Sequence, residues 1–470
     1  MANGSGKGRH SGVERFFRIS AAGTTVRTEV IAGLATFMTM AYIIFVNPAI
    51  LSLGSVFPNG GSPGVPFNAA ITATALGAAL ATLVMGLYAN YPFALASGMG
   101  INAMVAFGLI LGAKLSWQQA MGIIFWEGAL VTLFVLTNVR EAVFNAIPVT
   151  LKRAIGVGIG LFIAVIGLVE GHIVTASEAT VVQYNHAFGH DPVAVVTALG
   201  LLITAWLMAR RTRGAILLGI VVTTVIGILV DVVLVDKLGY FGKAHVLSAG
   251  ALAGAAKVVE TPSFATFFKL DFSVILQVGL WAWIFALMMT DFFDTMGTVV
   301  AVGGEAGLLD SRQRLPRLNR VLLVDSGAAV AGGLFGASSI TTYIESAAGV
   351  AEGGRTGLTS VVVALCFLVS IFFAPIIGLV PTAGTSPALI IVGFLMITVV
   401  RDIDFKNLEE AIPAFVTMIT IPLTYSITSG IGYGFILYSL IKLFRGRGRD
   451  VHWLLYVVSV LFAVSIYLGK

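Results

Sequence analysis

The sequence predicts an all-α polytopic membrane protein of about fourteen transmembrane spans, and three observations lead there. Of its 470 residues, 57% are hydrophobic and only 11% are charged, with a mean hydropathy of +0.96; soluble domains carry roughly 25% charged residues. Apolar runs of about 20 residues recur, the length a helix needs to cross a bilayer. The alternation of apolar and polar residues that marks a membrane barrel is absent.

Runs bounded by charged or Gly/Pro-rich breaks fall near 28–52, 67–88, 92–112, 117–138, 152–170, 193–210, 213–236, 273–302, 319–335, 336–353, 356–379, 384–400, 411–430 and 431–444. With a cytoplasmic N-terminus, 22 of the 28 Lys and Arg lie on the inner side. That asymmetry sets the orientation in the cell (inner) membrane. It also checks the span list, because one missed span inverts every later loop. Residues 1–25 are polar and basic and lack an apolar core closed by a small-residue cleavage site, so the first span is expected to direct insertion itself. The net charge of +5 is scattered among spans, which accounts for it as topology rather than as a nucleic-acid surface. Cys366 lies in an apolar run, so neither a disulfide framework nor a thiol metal site is expected. Residues 139–149 read as a cytoplasmic surface helix and 237–271 as a long external linker. Residues 451–468 are apolar again, either a further span or a helix packed on the bundle or in the interface.

Seven spans precede residue 240 and seven follow residue 272. An odd number per half makes the halves insert in opposite directions, which is what a 7+7 inverted repeat needs. Spans three and ten then occupy matching places, and both are interrupted. The first reads YPFALASGMGINAMVAF from Tyr91 to Phe107; the second reads FGASSITTYIESAAGVAEGG from Phe335 to Gly354. The β-branched stretch SSITTYI favours extended backbone, and the small residues after it favour a half-helix starting at Glu345 or Ser346. Pro92 to Ser97, followed by Gly98-Met99-Gly100 and Asn102, is the counterpart. Short strands in spans three and ten are therefore expected, each leading to a helix N-terminus with free N–H groups and a positive dipole end. Extended backbone at that depth survives only where it is buried or lines a cavity. Paired broken helices of this kind point to the substrate site of a secondary transporter. The candidate substrate-binding residues here are Met99, Gly100, Asn102, Tyr343, Glu345, Ser346 and Ala347.

Span eight adds acids. In WAWIFALMMTDFFDTMGTVVAVG, Asp291, Asp294, Thr295 and Thr298 follow helical spacing and share one face. Two carboxylates this close repel when both are charged, and a bound proton relieves the repulsion. Mid-membrane ionisable groups are functional candidates by default. Asp291 is therefore a candidate for substrate binding, and Asp291, Asp294 and Glu345 for proton coupling; the plainer alternative is an interhelical hydrogen-bond network. Glu127 and Asp325 either pair with hydroxyls and backbone or take part in proton transfer. Asp231 and Glu352 lie near span ends, where solvation or Arg355 suffices. His172, His186 and His190 are external and lack metal-ligand spacing, so no metal or cofactor is expected. The run GVGIGLFIAVIG misses the dinucleotide spacing and reads as small-residue helix packing. A Walker A lysine motif is absent.

Four segments carry a resemblance: RFFRISAAGTTVRTEVIAGLATFMTMAYIIFVNPAIL, GMGINA, TDFFDTMGT and TTYIESAAGVAEGGRTGLTS. Over nearly its whole length the chain resembles the azaguanine/hypoxanthine-type (AzgA-like) purine permeases of the nucleobase–ascorbate group. The resemblance implies a fourteen-span fold with a core domain (28–138 and 272–380) and a gate domain (139–236 and 381–445). Residues 1–27 and 446–470 flank them, and 237–271 links the halves. It also implies a proton-coupled importer of adenine, guanine or hypoxanthine, not an enzyme. The family's span-eight acid falls on Asp291, its span-ten acid on Glu345 and its span-three asparagine on Asn102. Phe292, Phe293 and Tyr343 then either supply a stacking surface or face neighbouring helices. Expected partners are a purine nucleobase, a proton, the lipid bilayer and, by analogy, a second copy in a homodimer; nucleic acid is not among them.

Three rivals stand beside this reading. An anion or dicarboxylate carrier of related inverted-repeat design should show basic residues at mid-membrane, where this chain has acids. An intramembrane aspartyl protease brings its two acids from different helices. A channel would not show saturable uptake driven by a proton gradient.

Overall fold

The computed structural model describes residues 12–54, 56–57, 61–137, 148–177, 181–235, 245–247, 258–310 and 315–468. In chain order its main elements are α1 (Val26–Ser52), α2 (Phe67–Ala89), β1 (Leu95–Ser97), α3 (Met99–Gly112), α4 (Trp117–Thr137) and α5 (Val149–Glu170). A hairpin follows, β2 (Val174–Ser177) with β3 (Val181–Tyr184), then α6 (Pro192–Ala209) and α7 (Ala215–Val235). The second half holds α8 (Trp281–Glu305), α9 (Leu318–Phe335), β4 (Ile340–Thr342), α10 (Ser346–Ala351), α11 (Gly357–Ile377) and α12 (Thr382–Asp402). It closes with α13 (Leu408–Thr424), α14 (Ile427–Phe444) and α15 (Trp453–Leu468). The surface helix expected over 139–149 falls almost wholly outside the described residues.

Among the described residues, ten helices are long and apolar enough to cross a membrane, so the chain is a multi-pass membrane protein. The other four expected spans differ for physical reasons. Spans three and ten are strand plus half-helix, too short to cross as helices. The thirteenth, α13, carries Glu409 and Glu410 in its first turn and Pro413 and Pro422 inside. The fourteenth is an apolar helix of intermediate length.

Small residues let these helices touch backbone to backbone. A Cβ on Gly393 of α12 would sit 2.5 Å from the carbonyl of Gly160 on α5, and one on Gly333 of α9 would sit 2.7 Å from the Phe125 amide on α4. Gly158, Gly160 and Gly167, from the glycine-rich run, all face α12 or α13 in this way. α5 packs on α12 and α13, and α6 and α7 on α12; α1, α2 and α11 pack together, as do α4 and α9.

Buried carboxylates staple the ends. Glu29 of α1 accepts the N–H groups of Arg355, Thr356 and Thr359 at 2.9, 3.2 and 3.3 Å, closing the N-terminus of α11. Asp231 is buried and takes the N–H groups of Val246 and Leu247 at 2.7 and 2.8 Å, so solvation is not what satisfies it. Glu352 pairs with Arg213 at 2.5 Å, while Arg355 turns its guanidinium to the carbonyls of Val350 and Gly354. Glu409 draws in Lys442, Arg445 and Arg447 at 2.9, 3.2 and 3.3 Å and ties α13 to the end of α14. α15 packs on α14 through Ser439 and Ser459 (3.0 Å) and the edge-to-face rings of Phe435 and Phe462.

Candidate functional site

The two broken spans meet. β1 and β4 pair antiparallel, with Leu95 opposite Thr342, Ala96 opposite Thr341 and Ser97 opposite Ile340. The ladder continues where Gly98 N–H donates to the Ser339 carbonyl and Tyr343 N–H to the Ala94 carbonyl, both at 2.9 Å. Both strands are buried, and pairing satisfies backbone that lipid could not. From opposite ends of this two-stranded bridge, α3 and α10 set off.

Their N-termini differ. In α3 the first helical bond is Asn102 N–H to the Gly98 carbonyl, which leaves the N–H groups of Met99, Gly100 and Ile101 without an intrahelical acceptor. Asn102 donates its amide to the Ser97 carbonyl at 3.3 Å, and its own buried Oδ1 has no partner. Gly100 lies against α5: a Cβ there would come within 2.6 Å of Ile159 Cγ2. In α10 the expected free donors are already used. Ser346 N–H bonds the Tyr343 carbonyl at 3.2 Å, Ala347 N–H the Ile344 carbonyl at 3.0 Å, and Ser346 Oγ accepts from Ala94 N–H at 3.0 Å. Ser346 and Ala347 therefore hold the turn and the strand together and present no free N–H.

Glu345 is half-buried at the start of α10. Tyr42, from the bend in α1, donates its hydroxyl to Glu345 Oε1 at 2.7 Å. Tyr343 donates to the Ser97 carbonyl at 2.5 Å, joining the Asn102 amide on the same acceptor. Asp294 is exposed and lies within electrostatic range of Asp325 as well as of Glu345, Tyr42 and Tyr343. These residues gather around one polar region.

Asp291 is not among them. It has no exposed surface; its Oδ1 lies 3.3 Å from Ser339 Oγ, and its Oδ2 has no partner. Ser339 Oγ also lies 2.8 Å from Glu127 Oε1 on α4. Thr295, one turn further along α8, donates to Asp325 Oδ2 at 2.6 Å and sits 2.7 Å from Thr341 Oγ1. The polar face expected on span eight is thus divided. Asp291 and Thr295 are buried against hydroxyl and carboxyl groups of α4, α9 and the β4 segment, whereas Asp294 keeps an exposed side, within electrostatic range of both Asp325 and Glu345. Phe292 is buried in the core, and the Phe293 side chain lies outside the described residues.

Sequence reading missed Tyr42 and Ser339. Ser339 lies in the SSITTYI run, where pattern marks only extended backbone, and the signal for Tyr42 is a lone tyrosine in an apolar span. A cavity of about 1040 Å³ opens elsewhere, between α3, α5, α8 and α13–α14, lined by Phe107, Glu170, Trp283, Tyr425 and Ser429. None of the expected site residues lines it.

A helical bundle with two half-helices crossing on a buried strand pair, and acids at the crossing, defines a class: a polytopic permease rather than an enzyme. The chain belongs to the permease family, whose Xan_ur_permease model ("Permease family") it matches over residues 27–432. It is 39% identical over 456 residues to the guanine/hypoxanthine permease PbuO of Bacillus subtilis (strain 168), covering 96% of this chain and all of that one. It is 38% identical over 456 residues to the adenine permease AdeQ of Escherichia coli (strain K12), covering 97% and 96%. Among solved structures, the transmembrane domain of the cyanobacterium bicarbonate transporter BicA aligns with a TM-score of 0.59 over 87% of this chain and 97% of that one. At 17% identity that likeness speaks for the fold alone.

Proposed function

We propose that this permease imports a purine nucleobase (adenine, guanine or hypoxanthine) together with a proton across the cell membrane. The observation that carries the reading is that Glu345 opens α10 while exposed Asp294 lies on α8, the helix that packs on both α10 and α3. A purine is a flat ring rimmed by N–H donors and lone-pair acceptors. A carboxylate accepts two adjacent N–H groups, and backbone N–H or an amide serves the ring nitrogens. In this reading Glu345 and Asp294 take the N–H edge, while Met99, Gly100 and Asn102 face the acceptor edge. Tyr343 flanks the ring, and Ser346 and Ala347 set the angle of Glu345. Asp291, walled off behind Ser339, acts on the proton rather than on the ring. The purine-permease relatives at 38–39% identity over nearly the full chain support the substrate class.

A bicarbonate transporter shares the fold, but acids at the crossing repel an anion. Fourteen spans in a 7+7 inverted repeat, with the N-terminus inside, complete the reading. Spans one to four and eight to eleven move as a core against a gate of five to seven and twelve to fourteen. The Gly100–Ile159 contact lies on that boundary, and a second copy pairs through the gate. Uptake of labelled hypoxanthine, competed by adenine, guanine, xanthine and uracil with and without a protonophore, tests this. Uptake near normal in both Glu345→Ala and Asp294→Ala would sink the site; uptake indifferent to the protonophore would sink the coupling.

A further inference from the structure

Counting hydrogens in the acid cluster behind the strand bridge separates its members. Asp325 on α9 is supplied as a carboxylate should be. It receives Thr295 Oγ1–H at 2.6 Å, Thr342 N–H at 2.8 Å and Thr342 Oγ1–H at 2.7 Å. Thr341 lies 2.7 Å from Thr295 Oγ1 and supplies the hydrogen on that contact, since the Thr295 hydrogen is spent on Asp325.

Glu127 and Asp291 are supplied differently. Both have 0% exposure, and their four oxygens share one hydroxyl, Ser339 Oγ, at 2.8 Å from Glu127 and 3.3 Å from Asp291. The remaining oxygens, Glu127 Oε2 and Asp291 Oδ2, have no partner. A serine carries one hydroxyl hydrogen. Once it is given to Glu127, the contact with Asp291 joins two oxygens with no hydrogen between them unless Asp291 brings its own. Among the described residues the charged groups facing the pair are Asp325 from α9 and Asp294 from α8, both acidic; β4 brings hydroxyls only. Two buried carboxylates with one donor and no cation cannot both stay charged.

We infer that Glu127, Ser339 and Asp291 form a proton-binding site in which one proton is shared by the two carboxyl groups through the serine, and that this is where the permease holds its coupled proton. The transfer balances. The Asp291 O–H breaks as its proton joins Ser339 Oγ, and the Ser339 proton passes to Glu127, leaving Asp291 charged and Glu127 neutral. The link to the ring is mechanical. The Ser339 carbonyl holds Gly98 N–H at 2.9 Å, so a ligand that moves the donor end of α3 moves the serine between the two acids. Asp294, one turn from Asp291, connects the pair to the exposed side.

This inference rests on the purine reading, and its test separates the two. In proteoliposomes, exchange of labelled purine needs no net proton movement, whereas accumulation under an imposed pH gradient does. Glu127→Gln keeps the shape and the Ser339 bond. We expect it to retain exchange, to lose gradient-driven accumulation, and to lose the alkalinisation that accompanies purine entry in the unmodified protein. Accumulation and pH profile unchanged in Glu127→Gln would overturn the inference. If that variant does not reach the membrane, the infrared spectrum of the unmodified protein decides. A protonated-carboxyl band at neutral pH that shifts in Ser339→Ala supports the pair, and its absence overturns it. Failure of purine exchange in the unmodified protein would overturn the purine reading, leaving the infrared band to judge the proton site alone.

Discussion

The two broken spans sit in matching places and pair strand to strand, yet they bring opposite chemistry. The α3 side has no charge; it offers a helix N-terminus whose first N–H groups lack intrahelical acceptors, with the Asn102 amide one turn in. The α10 side has closed its first N–H groups into a turn and offers the Glu345 carboxylate instead, held by Tyr42 at 2.7 Å. Matching backbone thus gives a donor end and an acceptor end.

Exchanging the acceptor end should have the largest effect. Glu345→Gln removes charge-assisted hydrogen bonds worth about 1.5–3 kcal/mol, so purine affinity should fall roughly 10- to 150-fold; uptake competition measures it, and an unchanged affinity would remove Glu345 from the site. On the donor side, Gly100→Ala sets a methyl against Ile159, an overpacking that costs about 1–3 kcal/mol. Transport should slow while the protein still folds, and solvent access of a cysteine placed beside Gly100 should rise. Asn102→Ala, which leaves the helix end intact, should weaken affinity by about 1 kcal/mol, roughly fivefold. An effect as large as that of Glu345→Gln would mean the two ends are not divided as described. Tyr42→Phe removes the donor to Glu345 without touching its charge and should change affinity less than Asn102→Ala.

The smallest effect belongs to a pair outside the comparison. Beside the β2–β3 hairpin His172 Nδ1 lies 2.8 Å from Asp191 Oδ2, and that hydrogen bond raises the histidine above its usual value. A group raised in the folded state contributes stability that is present below its unfolded value and lost as pH rises through the folded one. His172→Gln should therefore flatten the decline in melting temperature above neutral pH while leaving purine affinity unchanged. A changed affinity would show that the hairpin end of the bundle bears on the crossing.

Much of this architecture could be read from the residues, because hydropathy and turn chemistry act locally. The strands lie where extended backbone was expected, Leu95–Ser97 within Pro92 to Ser97 and Ile340–Thr342 within SSITTYI. What escaped depended on neighbours distant in sequence. Asp291 and Asp294, three residues apart on a helix, differ by only about 60° around its axis, so spacing assigns them one face. Only the packing of α4, α9 and β4 over one edge buries Asp291 and leaves Asp294 open. The same holds for Glu352, whose partner is Arg213 rather than nearby Arg355. A helix starting at Glu345 or Ser346 normally has free N–H groups at its first turn, but a tight turn from Tyr343 and Ile344 takes up those of Ser346 and Ala347.

The strand bridge also imposes an order of assembly. Leu95–Ser97 leave the ribosome long before Ile340–Thr342, and until the later strand arrives the earlier one has unpaired backbone that hydrocarbon will not accept, at several kcal/mol per group. The N-terminal half therefore cannot mature in lipid alone. Its third segment must wait, shielded by the insertion machinery or by water, until α9 has passed. A chain stopped after α7 should be held or degraded, and the same chain should be rescued when the second half is supplied as a separate fragment.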